Sequence, residues 1–171
     1  MYKVITMQDR MTVRLAKDGV LLALAMILGF IDNMIPMPIP VPGVKLGLAN
    51  LVVIYSICKM GNYDSIVISI SRVILSGLMF AGMSGIMYSL AGAVLALTVM
   101  MLMHKLTEYH IISISICGSL AHICGQLLVA GILTSFGVII YYAPVLLICA
   151  TVAGAVIGTV ANLILINTKD L

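Results

Sequence analysis

Apolar residues run along this chain in six long stretches, each closed by a short polar, proline-rich or glycine-containing break. A helix rises 1.5 Å per residue, so a hydrocarbon core of about 30 Å takes about 20 residues to cross. The pattern predicts helices near 15–31, 44–58, 65–82, 84–103, 111–133 and 143–166. The second is short, and its outer end must be completed by the proline-rich segment before it or sheltered by protein. The third and fourth are parted only by AGMSG, with Gly77, Gly82 and Gly85 around the break. A count of five helices with a re-entrant segment therefore stays open beside six.

Polar positions inside these runs are the informative ones. Helix three carries Ser65, Ser69, Arg72 and Ser76 at spacings of four, three and four, which puts them on one face. Helix five repeats that spacing with Ser115, Ser119, His122 and Gln126. Two stripes of equal period in helices of the same direction predict two interior-facing surfaces. Helix two runs the other way and offers Gly47 and Asn50, so a polar pocket is expected among helices two, three and five. Arg72 stands about seven residues, or about 10 Å, from the near end of its helix, at a depth where a cation needs a partner, a cavity or a route to the interface. The six acids, Asp9, Asp18, Asp32, Asp64, Glu108 and Asp170, all fall near the rims of the predicted spans. An anionic or strongly polar ligand would then compensate Arg72; the alternative is snorkelling or bonding to carbonyls and serines. His122 and Gln126 fit either this site or an ordinary interhelical bond.

Small residues form a second pattern. Ala25 and Gly29 are a small-xxx-small pair, as are Gly154 and Gly158, and both allow close helix approach within the bundle or against a partner. The segment IDNMIPMPIPVPGVKLGLAN is too rich in proline for continuous helix. Its apolar Met34, Ile35, Met37, Ile39 and Val41 predict an ordered, partly embedded cap over 32–43, with a tight turn at Pro42 and Gly43 and with Lys45 at its rim.

Composition removes the soluble alternative. Of 171 residues 63% are hydrophobic and 9% charged, with mean hydropathy +1.24, whereas soluble domains carry about 25% charged residues. The chain is expected to be a single transmembrane domain, 1–171, with a first helix that is retained rather than cleaved as a signal. Lys3, Arg10, Arg14, Lys17, Lys59, Lys105 and Lys169 fall on one side if both termini are cytoplasmic, including an N-terminal segment 1–14, and Lys45 alone departs from that rule. The net charge of +3 is thus a topology signal, not a nucleic-acid footprint. Cys58, Cys117, Cys124 and Cys149 read as small buried hydrophobes. No phosphate loop, nucleophile constellation, paired-acid motif or metal-ligand cluster is present in the sequence, so an enzyme, a metal site and a cofactor are not expected.

PGVKLGLANLVVIY, SRVILSGLMF, YSLAGAVLA and AHICGQLLVAG closely resemble the Gx transporter family, also described as heptaprenyl diphosphate synthase component I. The likeness covers nearly all of the chain after residue 10. That family is similar in turn to the substrate-binding S components of energy-coupling-factor (ECF) transporters. The resemblance implies an all-α integral membrane bundle of six transmembrane helices in the bacterial cytoplasmic membrane, working with a T subunit and two cytoplasmic ATPases. It implies that Ala23, Ala25 and Gly29 meet the T subunit, and that the loop after helix one caps an outward cavity. Matching family positions are Pro42, Gly43, Lys45, Gly47, Asn50, Arg72, His122 and Gln126, with Ser76 on the same stripe as Arg72. Ile123 stands where asparagine is usual, and Asp32 where glutamate is common. The expected function is a substrate-binding subunit for uptake of a small polar or anionic solute. The alternative is a non-catalytic membrane partner of a prenyl diphosphate synthase or of isoprenoid and quinone metabolism.

Overall fold

A computed structural model describes residues 7–34, 47–106, 110–134 and 136–168. They form six α-helices: α1 (Met7–Met34), α2 (Asn50–Lys59), α3 (Asn62–Ser76), α4 (Gly82–Leu106), α5 (Ile111–Leu133) and α6 (Phe136–Asn167). A π-helical turn, Gly77–Ala81, joins α3 to α4. No strand occurs among the described residues.

The fold is an antiparallel array with α2 at its centre. α4 packs on α5 and α5 on α6, while α1, α2 and α3 form a second group, and α2 also touches α4, α5 and α6. Apolar surface from both groups meets in one core, where Val53, Ile54 and Ile57 of α2 pack with Leu97, Met100, Ile114 and Ile157. Close approach in the α4–α6 group depends on glycine. A Cβ on Gly125 would lie 2.6 Å from the Ala91 carbonyl oxygen, and one on Gly158 would lie 2.7 Å from the Ile112 Cα. Both distances are below any real contact, so the backbones touch only because those side chains are missing. The Gly154 and Gly158 pair therefore works inside the bundle, against α5.

Two differences from the sequence reading, at the starts of α1 and α6, have physical causes. α1 begins at Met7 and runs through the charged stretch Arg10–Asp18, which is almost wholly exposed and where Arg14 is held by Asp64 on α3. α6 begins at Phe136 and contains Pro144, which lacks an N–H. Burial of Ile139 against Tyr88 and Ala130 keeps the preceding turns helical. Between α3 and α4 the break is real and sits at Gly82, whose φ of +67° suits glycine. Gly77 and Ile86 touch across it. In a straight helix nine residues span about 13.5 Å, so the chain must turn back there.

Among the described residues, length and apolarity qualify three stretches to cross a membrane, 62–106, 111–133 and 139–167, in contrast to the six spans expected. The first of these contains the Gly82 turn. α2, with ten residues, is about 15 Å long and cannot span alone. α1 is long enough but too highly charged over its first half to qualify. The chain is an all-α membrane protein.

Candidate functional site

Both polar stripes are buried. On α3, Ser65, Ser69, Arg72 and Ser76 are all below one-tenth exposed, as are Ser115, Ser119, His122 and Gln126 on α5. Their surroundings differ, and that difference divides the expected pocket.

Ser65 is structural. Its hydroxyl lies 2.9 Å from Ser56 Oγ on α2 and donates to the Gly61 carbonyl oxygen at 2.8 Å, which pins the α2–α3 hairpin. Ser76 Oγ donates to the Val73 carbonyl oxygen at 3.3 Å, within its own helix. Counting seven residues along each antiparallel helix from the Ser56–Ser65 contact brings Arg72 level with Ala49 and Asn50. Asn50 opens α2, and Gly47 just before it holds φ +84°. That left-handed turn lets the Gly47 and Leu48 N–H groups donate to Asp32 Oδ2, at 2.8 and 3.3 Å. Asp32, near the end of α1, is thus the side-chain acceptor at the start of α2, where a carboxylate is favoured by the helix dipole.

Asp32 also corrects the charge balance read from the sequence. Its carboxylate is buried and close enough to bear on the Arg72 guanidinium, so an acid does stand near the cation's depth. It sits near the end of a helix in sequence, but the fold brings that end against the start of α2 and near Arg72. The pairing is incomplete. Arg72 Nε and Nη2 and Asn50 Nδ2 are buried with no hydrogen-bond partner among the described residues. All three are donors, and none can accept. A buried donor without an acceptor costs about 1–3 kcal/mol, and more where it is charged.

The α5 stripe faces elsewhere. Gln126 Nε2 lies 3.2 Å from His122 Nε2, and since an amide nitrogen only donates, the imidazole nitrogen accepts. A Cβ on Gly92 of α4 would meet the His122 ring, so this pair lies against α4. Ser115 and Ser119 lie under Gly158 and Gly154 of α6. α3 and α5 do not pack on each other, and α2 and α4 stand between them. The structure therefore brings together Asp32, Gly47, Asn50 and Arg72, with Ser76 one turn beyond. His122 and Gln126 form a separate buried pair across α4.

Of the residues expected to meet a partner, Ala25 is fully buried against Val52 and Ile68, and Gly29 is buried as well. Ala25 packs on α2 and α3 and so is not a free surface, whereas a Cβ on Gly29 would meet nothing within 4 Å, and Ala23 is exposed. Pro42, Gly43 and Lys45, with most of the 32–43 cap, lie outside the described residues. Among the described residues no group of three or more His, Cys, Asp or Glu is arranged to hold a metal ion.

Sequence reasoning missed the opposite end of the bundle. Arg14 of α1 contacts Asp64 of α3 through Nη2 at 2.6 Å and Nε at 2.9 Å, and stacks 5.9 Å from the Tyr63 ring. The hydrogen bond and charge of Asp64 raise the Arg14 pKa above its ordinary value. Cavities of about 570 and 440 Å³ open at this end, away from Arg72. The clustering of cations there is visible in sequence, where it reads as a signal of membrane orientation.

A family profile described as heptaprenyl diphosphate synthase component I matches residues 21–164. No curated protein and no solved structure matches the chain.

Proposed function

We propose, on the premise that this chain belongs to the heptaprenyl diphosphate synthase component I family, that it is a substrate-binding membrane subunit for a small polar or anionic solute. What carries this reading is the donor surplus at Arg72 and Asn50, three buried nitrogens without a hydrogen-bond partner among the described residues, beside the already engaged Asp32 carboxylate. A carboxylate, phosphate or carbonyl-rich solute supplies the missing acceptors, and a zwitterion would also suit the Arg72–Asp32 pair. His122 and Gln126 serve as a supporting pair, and Lys45 with the 32–43 segment as the rim and cap of the same site.

In this reading the helices form six membrane-embedded elements with both termini cytoplasmic. It is supported by the clustering of Arg10, Arg14, Lys17, Lys59 and Lys105 at one end of the bundle, away from Arg72. A self-contained carrier would need its own energy coupling, so the chain acts as an S-component-like subunit with an ECF T subunit and two ATPases in a bacterial cytoplasmic membrane. It acts as a binding subunit rather than as a catalyst, a reading supported by the engagement of Asp32 with α2 and of Asp64 with Arg14.

The family description favours a second reading, a non-catalytic membrane component of a prenyl diphosphate synthase. Purification from native membranes in mild detergent separates the two. Recovery of a T subunit with two ATPases supports the solute-binding subunit. A stoichiometric complex with a prenyl synthase, and no ATPase, contradicts it and supports the second.

A further inference from the structure

Two arginines in this bundle present the same chemical edge under opposite conditions. In a guanidinium, the Nε–H and the adjacent N–H of Nη2 point the same way and form one two-pronged donor edge. On Arg14 that edge is closed by Asp64, whose Oδ1 accepts from Nε at 2.9 Å and lies 2.6 Å from Nη2. On Arg72 the same two atoms, Nε and Nη2, are the buried nitrogens without a hydrogen-bond partner among the described residues. The third such donor, Asn50 Nδ2, belongs to the first residue of α2, and a Cβ on Gly47 would lie 3.1 Å from it. Arg72 is 8% exposed and Asn50 3%, so these donors do not face open solvent.

The edge selects a shape. Two parallel N–H bonds match two oxygens carried on one atom, as in a carboxylate or a phosphate. Charge then decides between them. Among the described residues Asp32 is the ionised side chain that bears on Arg72, and it offsets the cation. The N-terminus of α2 adds about half a positive charge, which leaves the site near +0.5. A carboxylate takes that balance to about −0.5. A phosphate monoester, at about −1.5 to −2, takes it to about −1 to −1.5, an uncompensated charge in a buried place. The two oxygens of a carboxylate also offer about four acceptor directions, enough for the guanidinium edge and the Asn50 amide together.

We propose that the solute is anchored by a single carboxylate, held side-on by Nε and Nη2 of Arg72, with Asn50 Nδ2 donating to one of the same oxygens. This rests on the reading of Arg72 and Asn50 as a solute site and narrows it to one class: organic acids whose only anionic group is one carboxylate. Phosphate esters are rejected by charge. Lysine cannot replace Arg72, because an ammonium keeps the charge but has no planar edge.

Tandem mass spectrometry of the solute released by denaturing the full chain, after gentle purification from its native membranes, tests this. Arg72→Ala, Arg72→Lys and Asn50→Asp are purified in parallel. The wild-type chain is expected to yield a solute that takes up one ester group on mild esterification and contains no phosphorus. Occupancy in Arg72→Lys should fall at least about tenfold. Asn50→Asp preserves side-chain size at a helix start that tolerates an acid, and should lower occupancy at least about tenfold by setting a second carboxylate against the first. It decides the matter where an Arg72 variant fails to fold. A solute that carries phosphate or two carboxylates, yet is lost from Arg72→Ala, would overturn the carboxylate anchor and leave the site standing. Unreduced occupancy in Arg72→Lys or Asn50→Asp would do the same. A solute retained by folded Arg72→Ala, or none on the wild-type chain, would overturn the site and its anchor together.

Discussion

The two halves of this bundle are built on opposite principles. α4, α5 and α6 are long and apolar, and they meet where glycine removes every intervening side chain, at Gly92, Gly125, Gly154 and Gly158. α1, α2 and α3 include the ten-residue α2 and hold a buried arginine, two buried aspartates and an open groove. The first half gains chiefly from close packing, since dispersion replaces hydrophobic driving force inside a bilayer. The second is held by specific polar links: Asp32 to the start of α2, Ser65 to Ser56, Arg14 to Asp64 and Lys59 to Thr168. A scaffold of the first kind can carry a site of the second kind, whose polar groups would be too costly without it.

Substitutions should separate the halves by size of effect. Gly125→Val pushes a side chain into the Ala91 backbone, which cannot yield as a flexible side chain would, and should cost about 3 kcal/mol. Thermal unfolding in detergent would register it as a large fall in Tm; an unchanged Tm would mean that α4 and α5 do not meet through glycine. Asp32→Ala orphans the Gly47 and Leu48 N–H groups and removes the carboxylate nearest Arg72, at a cost of about 2 kcal/mol. Asp32→Asn keeps an acceptor and should recover about half of that in the same assay. Arg14→Gln should have the smallest effect, because the arginine is more than half exposed. Its shift should shrink further in high salt, and a shift larger than that of Asp32→Ala would reverse the ranking.

The sequence was most legible where periodicity alone decides burial. The bounds of α5 are 111–133 in both readings, and the four-three-four spacing identified eight buried polar residues on α3 and α5. It could not say which neighbour each stripe faces, since that depends on helix order around α2. The α5 stripe accordingly turned out to face α4 and α6. Asp32 shows a second limit. Its distance from mid-membrane was counted along its own helix, whereas its partners, Gly47 and Leu48, come from a turn 15 and 16 residues further on. Ala25 and Gly29 show a third. A small-residue pair suggests close approach without saying to what; here Ala25 packs internally on Val52 and Ile68, while a Cβ on Gly29 would meet nothing within 4 Å.

The central claim is that Arg72 and Asn50 keep their donors for a ligand. Native mass spectrometry of the protein released gently from its own membranes tests it most directly, with wild type compared with Arg72→Ala and Asn50→Ala at matched folding by circular dichroism. The account predicts a small bound mass on the wild-type chain that both variants lose. The same mass on all three proteins, or none on any after release from native membranes, would contradict it.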